Sequence, residues 1–168
     1  MGRALADTID RLNDALGRAI AWLTFAMMAT TVVVVVLRYG FDVGAIVLQE
    51  SVVYMHGLAF MLGIGYTLKT DDHVRVDLIY SRLGHVARRR VNLFGHVVFL
   101  VPVSLFILLS SLDYVAASWR VLERSPEVGG IPAVYLLKSL IPVMAVALLL
   151  QGIAEIIRCL IPEPSADA

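Results

Sequence analysis

Apolar residues are concentrated in four long segments of the chain that contain very few charged side chains. Residues 19–37 carry no charge over 19 positions, and an α-helix needs roughly 20 apolar residues to cross a bilayer. Polar or glycine-rich stretches separate this segment from three others of similar character. The pattern predicts four transmembrane helices, at about residues 19–38, 47–69, 90–113 and 133–158.

Five consecutive valines at residues 32–36 would favour a β-strand in a soluble protein. In lipid, an isolated strand cannot satisfy its backbone hydrogen bonds, so this segment is predicted to be helical. The sequence therefore predicts an all-α membrane protein with one four-helix transmembrane domain over residues 1–161. The proline- and acid-containing tail over residues 162–168 is predicted to be disordered and cytoplasmic.

Two amphipathic segments flank the predicted spans. Residues 4–18 place leucine and isoleucine on one helical face and acid-to-base pairs on the other, so we expect a helical extension of span one that rests at the membrane surface. After span two, a dense polar turn precedes apolar residues at helical spacing, which predicts a short interfacial helix. The polar residues of this turn are Asp71, Asp72, His73, Arg75 and Asp77.

Composition agrees with a lipid environment. The chain has 168 residues, of which 59% are hydrophobic and 17% charged, with a mean hydropathy of +0.81. The net charge is zero, which removes the electrostatic basis for binding nucleic acid. Cys159 is the only cysteine, so neither an intrachain disulfide nor a zinc cluster of thiolates can form.

Lysine and arginine are distributed unevenly between the two ends of the predicted spans. Ten of them fall on the side of the chain termini and four on the opposite side. Because basic residues favour the cytoplasmic side, we expect both termini and the His73 turn to be cytoplasmic. The four basic residues on the opposite side are Arg38, Arg120, Arg124 and Lys138.

Spans two and three each carry a stripe of small or polar residues on one helical face. Ala59 and Gly63, four residues apart, would allow another backbone to approach span two closely. We expect both stripes to pack against protein rather than lipid. The candidate subunit-packing residues are His56, Ala59, Gly63, Tyr66, Asn92, His96 and Ser110.

The two intramembrane histidines, His56 and His96, raise the alternative of axial ligands to a b-type haem. The predicted spans place them at different membrane depths, which favours interhelical hydrogen bonding instead. Arg75 within the acidic turn argues against a metal site there, and no phosphate loop or nucleophile elbow is present. We therefore expect no catalytic residue, cofactor or metal in this chain. Three consecutive arginines are expected to fix the topology and to bind lipid headgroups: Arg88, Arg89 and Arg90.

Several short motifs, in order along nearly the whole chain, resemble the small membrane subunit of tripartite ATP-independent periplasmic (TRAP) transporters, the DctQ-like family. The most specific is the pentad His-Val-Arg-Val-Asp at residues 73–77, which contains His73, Arg75 and Asp77. The others are Arg-Tyr-Gly-Phe-Asp at 38–42, Gln49-Glu50, residues 63–68, Gly-Gly-Ile-Pro at 129–132, Lys138, Ile141-Pro142 and Gln151-Gly152. The residues at the outer interface are Arg38, Glu50, Gly129 and Gly130.

The resemblance implies a bacterial inner-membrane importer with three parts. A periplasmic substrate-binding protein would capture an organic acid, and a large membrane subunit would carry it inward, driven by a sodium gradient. The small subunit would clamp onto the large one and widen its scaffold, with spans two and three supplying much of the packing face. Three alternatives remain open at this stage: a haem b membrane anchor of an oxidoreductase, the small subunit of a tripartite tricarboxylate transporter, and a free-standing four-helix transporter.

Overall fold

A computed structural model describes residues 2–70, 80 and 82–161, and these residues form helices and loops without a strand. Four helical segments are long and apolar enough to span a membrane, which confirms the all-α membrane fold. The motif residues His73, Arg75 and Asp77, the first part of the predicted interfacial helix and the tail over residues 162–168 lie outside the described residues. The later part of that prediction is described: Leu83 lies in a bend, and Val86 belongs to the helix His85–Gly95. The elements are α1 (Gly2–Gly40), α2 (Ile46–Lys69), α3 (His85–Gly95), a π-helical turn (His96–Leu100), α4 (Val101–Arg120) and α5 (Val134–Leu160).

The amphipathic segment before span one is part of α1, which continues without interruption for 39 residues. It is a helical extension of the span, as expected. The buried face of this extension runs through Ala6, Ile9 and Asn13, and Ala6 and Ile9 form a cluster with Ala154 of α5. The predicted apolar face is only partly covered by protein, because Ile9 is buried whereas Leu12 is 53% exposed.

The helix that contains the predicted third span extends beyond it at both ends, because one helical path runs from His85 to Arg120. The residues that follow the predicted end of the span at 113 form the last two turns of α4 rather than a loop. Ser104, Ser111 and Ser118 are buried at seven-residue intervals, with Val115 between the last two. Residues at seven-residue intervals lie on one narrow face of a helix. This face of α4 therefore stays packed against its neighbour beyond the end of the apolar segment.

A π-helical turn directly precedes Pro102 of α4. Proline has no amide hydrogen to donate and its ring crowds the carbonyl four residues earlier. A wider turn accommodates both effects, and such turns are a common cause of helix kinks. The π-helical turn is therefore the local adjustment that lets the helical path continue through Pro102.

Helix α5 is the centre of the fold, since it packs against α1, α2 and the third span. Helices α1 and α2 also pack along each other, whereas the third span joins the assembly through α5. Small residues make these approaches possible: a Cβ added to Gly152 would lie 2.6 Å from Leu100 Cδ2, and one added to Gly57 would lie 3.0 Å from Leu137 Cδ1. The buried residues of α5 are Ala145, Leu148, Gln151, Gly152 and Ala154.

Candidate functional site

Polar side chains gather at the two ends of the helices. We call the end that contains residues 41–45 and 121–133 the loop side, and the end that contains residues 2 and 161 the terminal side. On the loop side, Glu50 of α2 holds the α4–α5 loop with both carboxylate oxygens. Its Oε2 accepts a hydrogen bond from the Ile131 amide at 2.5 Å, and its Oε1 accepts one from the Ser125 hydroxyl.

Gly130 lies directly beneath this carboxylate. A Cβ added there would lie 2.5 Å from Ser125 Oγ and 2.7 Å from Glu50 Oε1, so the site requires glycine for space. Gly129 has a φ of 81°, a left-handed conformation that glycine adopts without strain. The structure thus brings together three of the four predicted outer-interface residues, Glu50, Gly129 and Gly130, while Arg38 is exposed in the last turn of α1.

A second ion pair closes the same loop against α5. The Lys138 ammonium donates to Glu123 Oε2 at 2.5 Å, and the Ser118 hydroxyl donates to the same oxygen at 2.6 Å. The hydrogen bonds from Lys138 and then Ser118 lower the pKa of Glu123 below its ordinary value. Lys138 also lies 4.3 Å from the centre of the Tyr114 ring, a cation–π distance that ties α4 to α5.

The loop side presents apolar side chains to its surroundings despite being the polar end of the helices. Val121, Leu122 and Val128 are exposed, Val128 by 91% of its surface. Leu122 has a φ of 45°, which is unusual for a residue with a side chain, and its amide donates to the Trp119 carbonyl. The loop is therefore held in one conformation that displays these residues.

On the terminal side, a polar network connects α1, α2 and α5. The buried Asn13 amide donates to Gln151 Oε1 at 2.7 Å, and Gln151 Nε2 donates to Glu155 Oε1 at 2.8 Å. Further ion pairs join Arg158 to both Asp10 and Glu155, and Lys69 to Asp14. Each charge in this network has a partner of opposite sign, which is the condition under which charges persist near lipid.

The chain matches the family model described as "Tripartite ATP-independent periplasmic transporters, DctQ component" over residues 3–161. This chain belongs to the DctQ family. No curated protein and no solved structure gives a significant match. The family match makes the chain the small subunit of a TRAP transporter, and the four apolar helices make it a multi-pass membrane protein. DctQ is a family of transporter subunits rather than of enzymes.

The three consecutive arginines of this DctQ chain have different surroundings. Arg89 donates to the Cys159 and Leu160 carbonyls, the latter at 3.0 Å, and so caps the C-terminal end of α5. The positive charge there also complements the helix dipole. Arg88 donates to the Tyr80 carbonyl at 3.1 Å and lies 5.4 Å from the centre of its ring. Arg90 is exposed, and its expected contact with a lipid headgroup stays a prediction.

The small residues of α2 that make close contacts inside the DctQ chain are not the predicted pair. Gly65 is buried against Asn13, where an added Cβ would lie 2.8 Å from Oδ1, and Gly57 approaches α5. Around Gly63 there is more room, since an added Cβ would lie 3.8 Å from Ile20 Cδ1. Ala59 and Gly63 instead line an open groove, and whether a partner fills it stays a prediction.

The remaining candidate packing residues have mixed surroundings. Tyr66 packs its ring on Gly17 of α1, where an added Cβ would lie 2.7 Å from Cδ2. Asn92 accepts a hydrogen bond from the Tyr80 hydroxyl at 3.0 Å. His56 is exposed and stacks on Phe60 with ring centres 6.2 Å apart.

His96 is half-buried in the π-helical turn, and α2 and this turn have no extensive contact with each other. Ser110 is exposed and donates to the Ile107 carbonyl of its own helix at 3.3 Å. Its neighbour Ser111 is the residue buried inside this chain, and whether the exposed Ser110 faces a partner subunit stays a prediction.

Sequence reasoning missed how Glu50, Asn13 and Gln151 act. Asn13 and Gln151 are polar residues at buried positions, and two amides at the same helix ends were a usable signal of a pair. The Glu50 contacts span 75 and 81 residues, and no local pattern reports such a pairing. Among the residues that the structure describes, no group of three or more His, Cys, Asp or Glu side chains could hold a metal ion.

Proposed function

We propose that this DctQ chain is a static scaffold that binds the large membrane subunit through α2 and helps to dock the periplasmic binding protein through its loop side. Sodium-driven uptake of an organic acid would then be carried out by the large subunit. The observation that carries this proposal is the open groove of about 430 Å³ on α2, lined by Ala59, Phe60, Gly63, Ile64 and Thr67.

The groove has the properties of a helix-docking surface. Its lining is mainly apolar, and Ala59, Gly63 and Thr67 recur every four residues, so they lie along one face of the helix. Small side chains at this spacing let a second helix come close enough for extensive van der Waals contact, which is a main source of helix association in lipid. Gly57 and Gly65 already pack inside the chain, which leaves the Ala59–Gly63 pair for an external partner.

The loop side supports a role in docking the binding protein. Its exposed valines and leucine lie on a loop that Glu50 and Glu123 fix to α2 and α5. A loop held in one conformation loses less entropy on binding than a mobile one. The uneven distribution of basic residues favours a periplasmic position for this side, where the binding protein would be.

The internal polar groups of the chain support a scaffold rather than an independent transporter. On the terminal side, Lys69 pairs with Asp14 and Arg158 pairs with Asp10 between helices, while Arg158 also pairs with Glu155 of its own helix. Substrate sites of secondary transporters usually use broken helix pairs near the bilayer midplane. Helices α1 and α2 are continuous through their full length, and α5 continues through Pro142.

The proposal is tested by enlarging one groove residue. Ala59→Leu adds three heavy atoms to the groove without adding charge, so recovery of the large subunit with the tagged small subunit should fall about tenfold or more, an effect of at least 1.4 kcal/mol. Ala29→Leu, on the exposed side of α1, is the matched control and should leave recovery unchanged.

Transport is measured in parallel by uptake of radiolabelled substrate into cells that express all three components. It should fall with the recovered complex in Ala59→Leu and remain at the wild-type level in Ala29→Leu. Equal recovery for the two variants would show that the groove on α2 is not the docking surface. Uptake by the small subunit alone in liposomes would refute the scaffold role.

A further inference from the structure

A second groove lies on the terminal side, between α3 with its π-helical turn and α5. It has a volume of about 510 Å³ and is lined by Leu93, Phe94, Val97 and Val98 on one side and by Ile156 and Leu160 on the other. This size is within the range of sites that hold small molecules. All six of these side chains are apolar, so the groove suits a hydrocarbon.

Arg90 stands at one end of this groove. Its side chain is exposed, and it takes part in none of the hydrogen bonds and ion pairs in the described part of the chain. The two preceding arginines differ in this respect, because Arg88 contacts Tyr80 and Arg89 caps α5. Arg90 therefore has a guanidinium group available for an anion.

We infer that this groove binds one anionic phospholipid, with an acyl chain along the apolar lining and the phosphate on the guanidinium of Arg90. A phospholipid places its charged headgroup at the membrane surface and its acyl chains further inside. The groove has the same order, because Arg90 lies nearer the start of α3 than the apolar lining residues that follow it. A guanidinium also matches the planar, bidentate geometry of a phosphate.

Charge complementarity favours a lipid over a protein helix as the occupant. A helix of the large subunit would leave Arg90 against an apolar surface, where an unpaired charge is costly. A phospholipid supplies the anion and the hydrocarbon together, and it is present around the protein in large excess. The terminal side also holds most of the basic residues of the chain, which would concentrate anionic lipid there.

The test is native mass spectrometry of the full-length chain, released from detergent after titration with dioleoylphosphatidylglycerol or dioleoylphosphatidylcholine. The wild-type chain should retain the anionic lipid about fivefold better, the effect expected of one arginine near an anionic headgroup. Arg90→Gln should bring this ratio close to one. Arg82→Gln removes an exposed arginine of the same side that does not line the groove, and it should keep the wild-type ratio.

A second variant tests the acyl-chain part of the site independently of charge. Val97→Trp fills the groove from a position that is 49% exposed, so it does not disturb the buried packing. It should lower retention of both lipids. If Arg90→Gln and Arg82→Gln lower the ratio equally, or if Val97→Trp binds lipid like the wild type, the site does not exist.

The same measurement on the complex with the large subunit decides between lipid and protein. Retention of phosphatidylglycerol in the complex supports a lipid site on the surface of the assembly. Displacement of the lipid by the large subunit would show that the groove is a subunit interface and would overturn the inference. This result is independent of the α2 groove, so the proposed scaffold role can stand or fall separately.

Discussion

Glu50→Gln should release the α4–α5 loop from α2. The carboxylate uses its two oxygens for two different donors, the Ser125 hydroxyl and the Ile131 amide. The glutamine side chain has only one oxygen, so one of the two hydrogen bonds is lost. The remaining hydrogen bond has an uncharged acceptor. A hydrogen bond to a charged group is worth about 1.5–3 kcal/mol and a neutral one about 1 kcal/mol. Since Glu50 is only half-buried, we take about 2 kcal/mol as the net cost of opening the loop.

The direct reporter is the amide of Ile131, because it donates to the carboxylate itself. A cost of about 2 kcal/mol corresponds to roughly 30-fold faster hydrogen exchange, at 1.4 kcal/mol per factor of ten. Exchange is measured by mass spectrometry on a peptide that covers residues 123–134, with the protein in detergent. Peptides from the centre of α5 should be unaffected, since the contact is local.

Two variants make this experiment decisive. Ser125→Ala removes one of the two donors and should accelerate exchange by a smaller factor, roughly tenfold. Gln49→Ala changes the preceding residue of α2 without touching the carboxylate and should leave exchange at the wild-type rate. If Glu50→Gln exchanges at the wild-type rate at Ile131, the carboxylate does not hold the loop and the reasoning is refuted.

Three other changes have clear expected results. Gly152→Leu should lower recovery of folded protein and cost several kcal/mol in detergent unfolding, because even its Cβ would lie 2.6 Å from Leu100 Cδ2. Arg158→Gln should cost about 1–2 kcal/mol in the same unfolding assay, because Asp10 loses its ion pair, Glu155 keeps its hydrogen bond from Gln151, and the Arg158 side chain is 36% exposed. Because the pKa of Glu123 is lower in the folded protein than its ordinary value of 4.5, the ionised carboxylate stabilises the fold at pH values above 4.5. This stabilisation is lost as the pH falls from 4.5 through the pKa of the folded state. Melting temperatures of wild type and Glu123→Gln should therefore converge at low pH.

Each of these results has a defined contradiction. A Gly152→Leu variant with wild-type stability would mean that α5 and the π-helical turn are further apart than 2.6 Å implies. Arg158→Lys keeps the charge and should recover part of the stability that Arg158→Gln loses, and no recovery would assign the effect to packing. A constant difference in melting temperature between wild type and Glu123→Gln from pH 3 to pH 7 would show that the ion pair to Lys138 does not contribute.

The ends of a helix could be predicted closely where the apolar segment and the contacts with neighbouring helices end at the same residues. Helix α2 was expected at residues 47–69 and is found at Ile46–Lys69. The third span was expected to end at residue 113, and the helix that contains it continues to Arg120. In its final turns, Val115 and Ser118 are buried while polar side chains are exposed. Hydropathy averaged over a window does not separate the two faces, so it does not detect these turns.

The residues of the candidate sites were less predictable than the spans. A helical wheel shows which residues share a face, but not which neighbour that face meets. It selected Ala59 and Gly63, whereas the close contacts inside the chain are made by Gly57 and Gly65. Similarly, three arginines that are equivalent in the sequence have three different surroundings, and Arg90 is the one that lines the apolar groove between α3 and α5.

The sequence by itself determined the number of spans and the class of the protein. In lipid, an apolar segment of this length forms a helix, because every backbone group must be satisfied within the segment. The family is likewise a property of the sequence, which matches the DctQ model over residues 3–161. Only the tertiary structure decided that α5 is the central helix and that Glu50 holds a loop 75 to 81 residues away. Those contacts depend on how the helices are placed relative to one another, and the periodicity of a single helix carries no information about its neighbours.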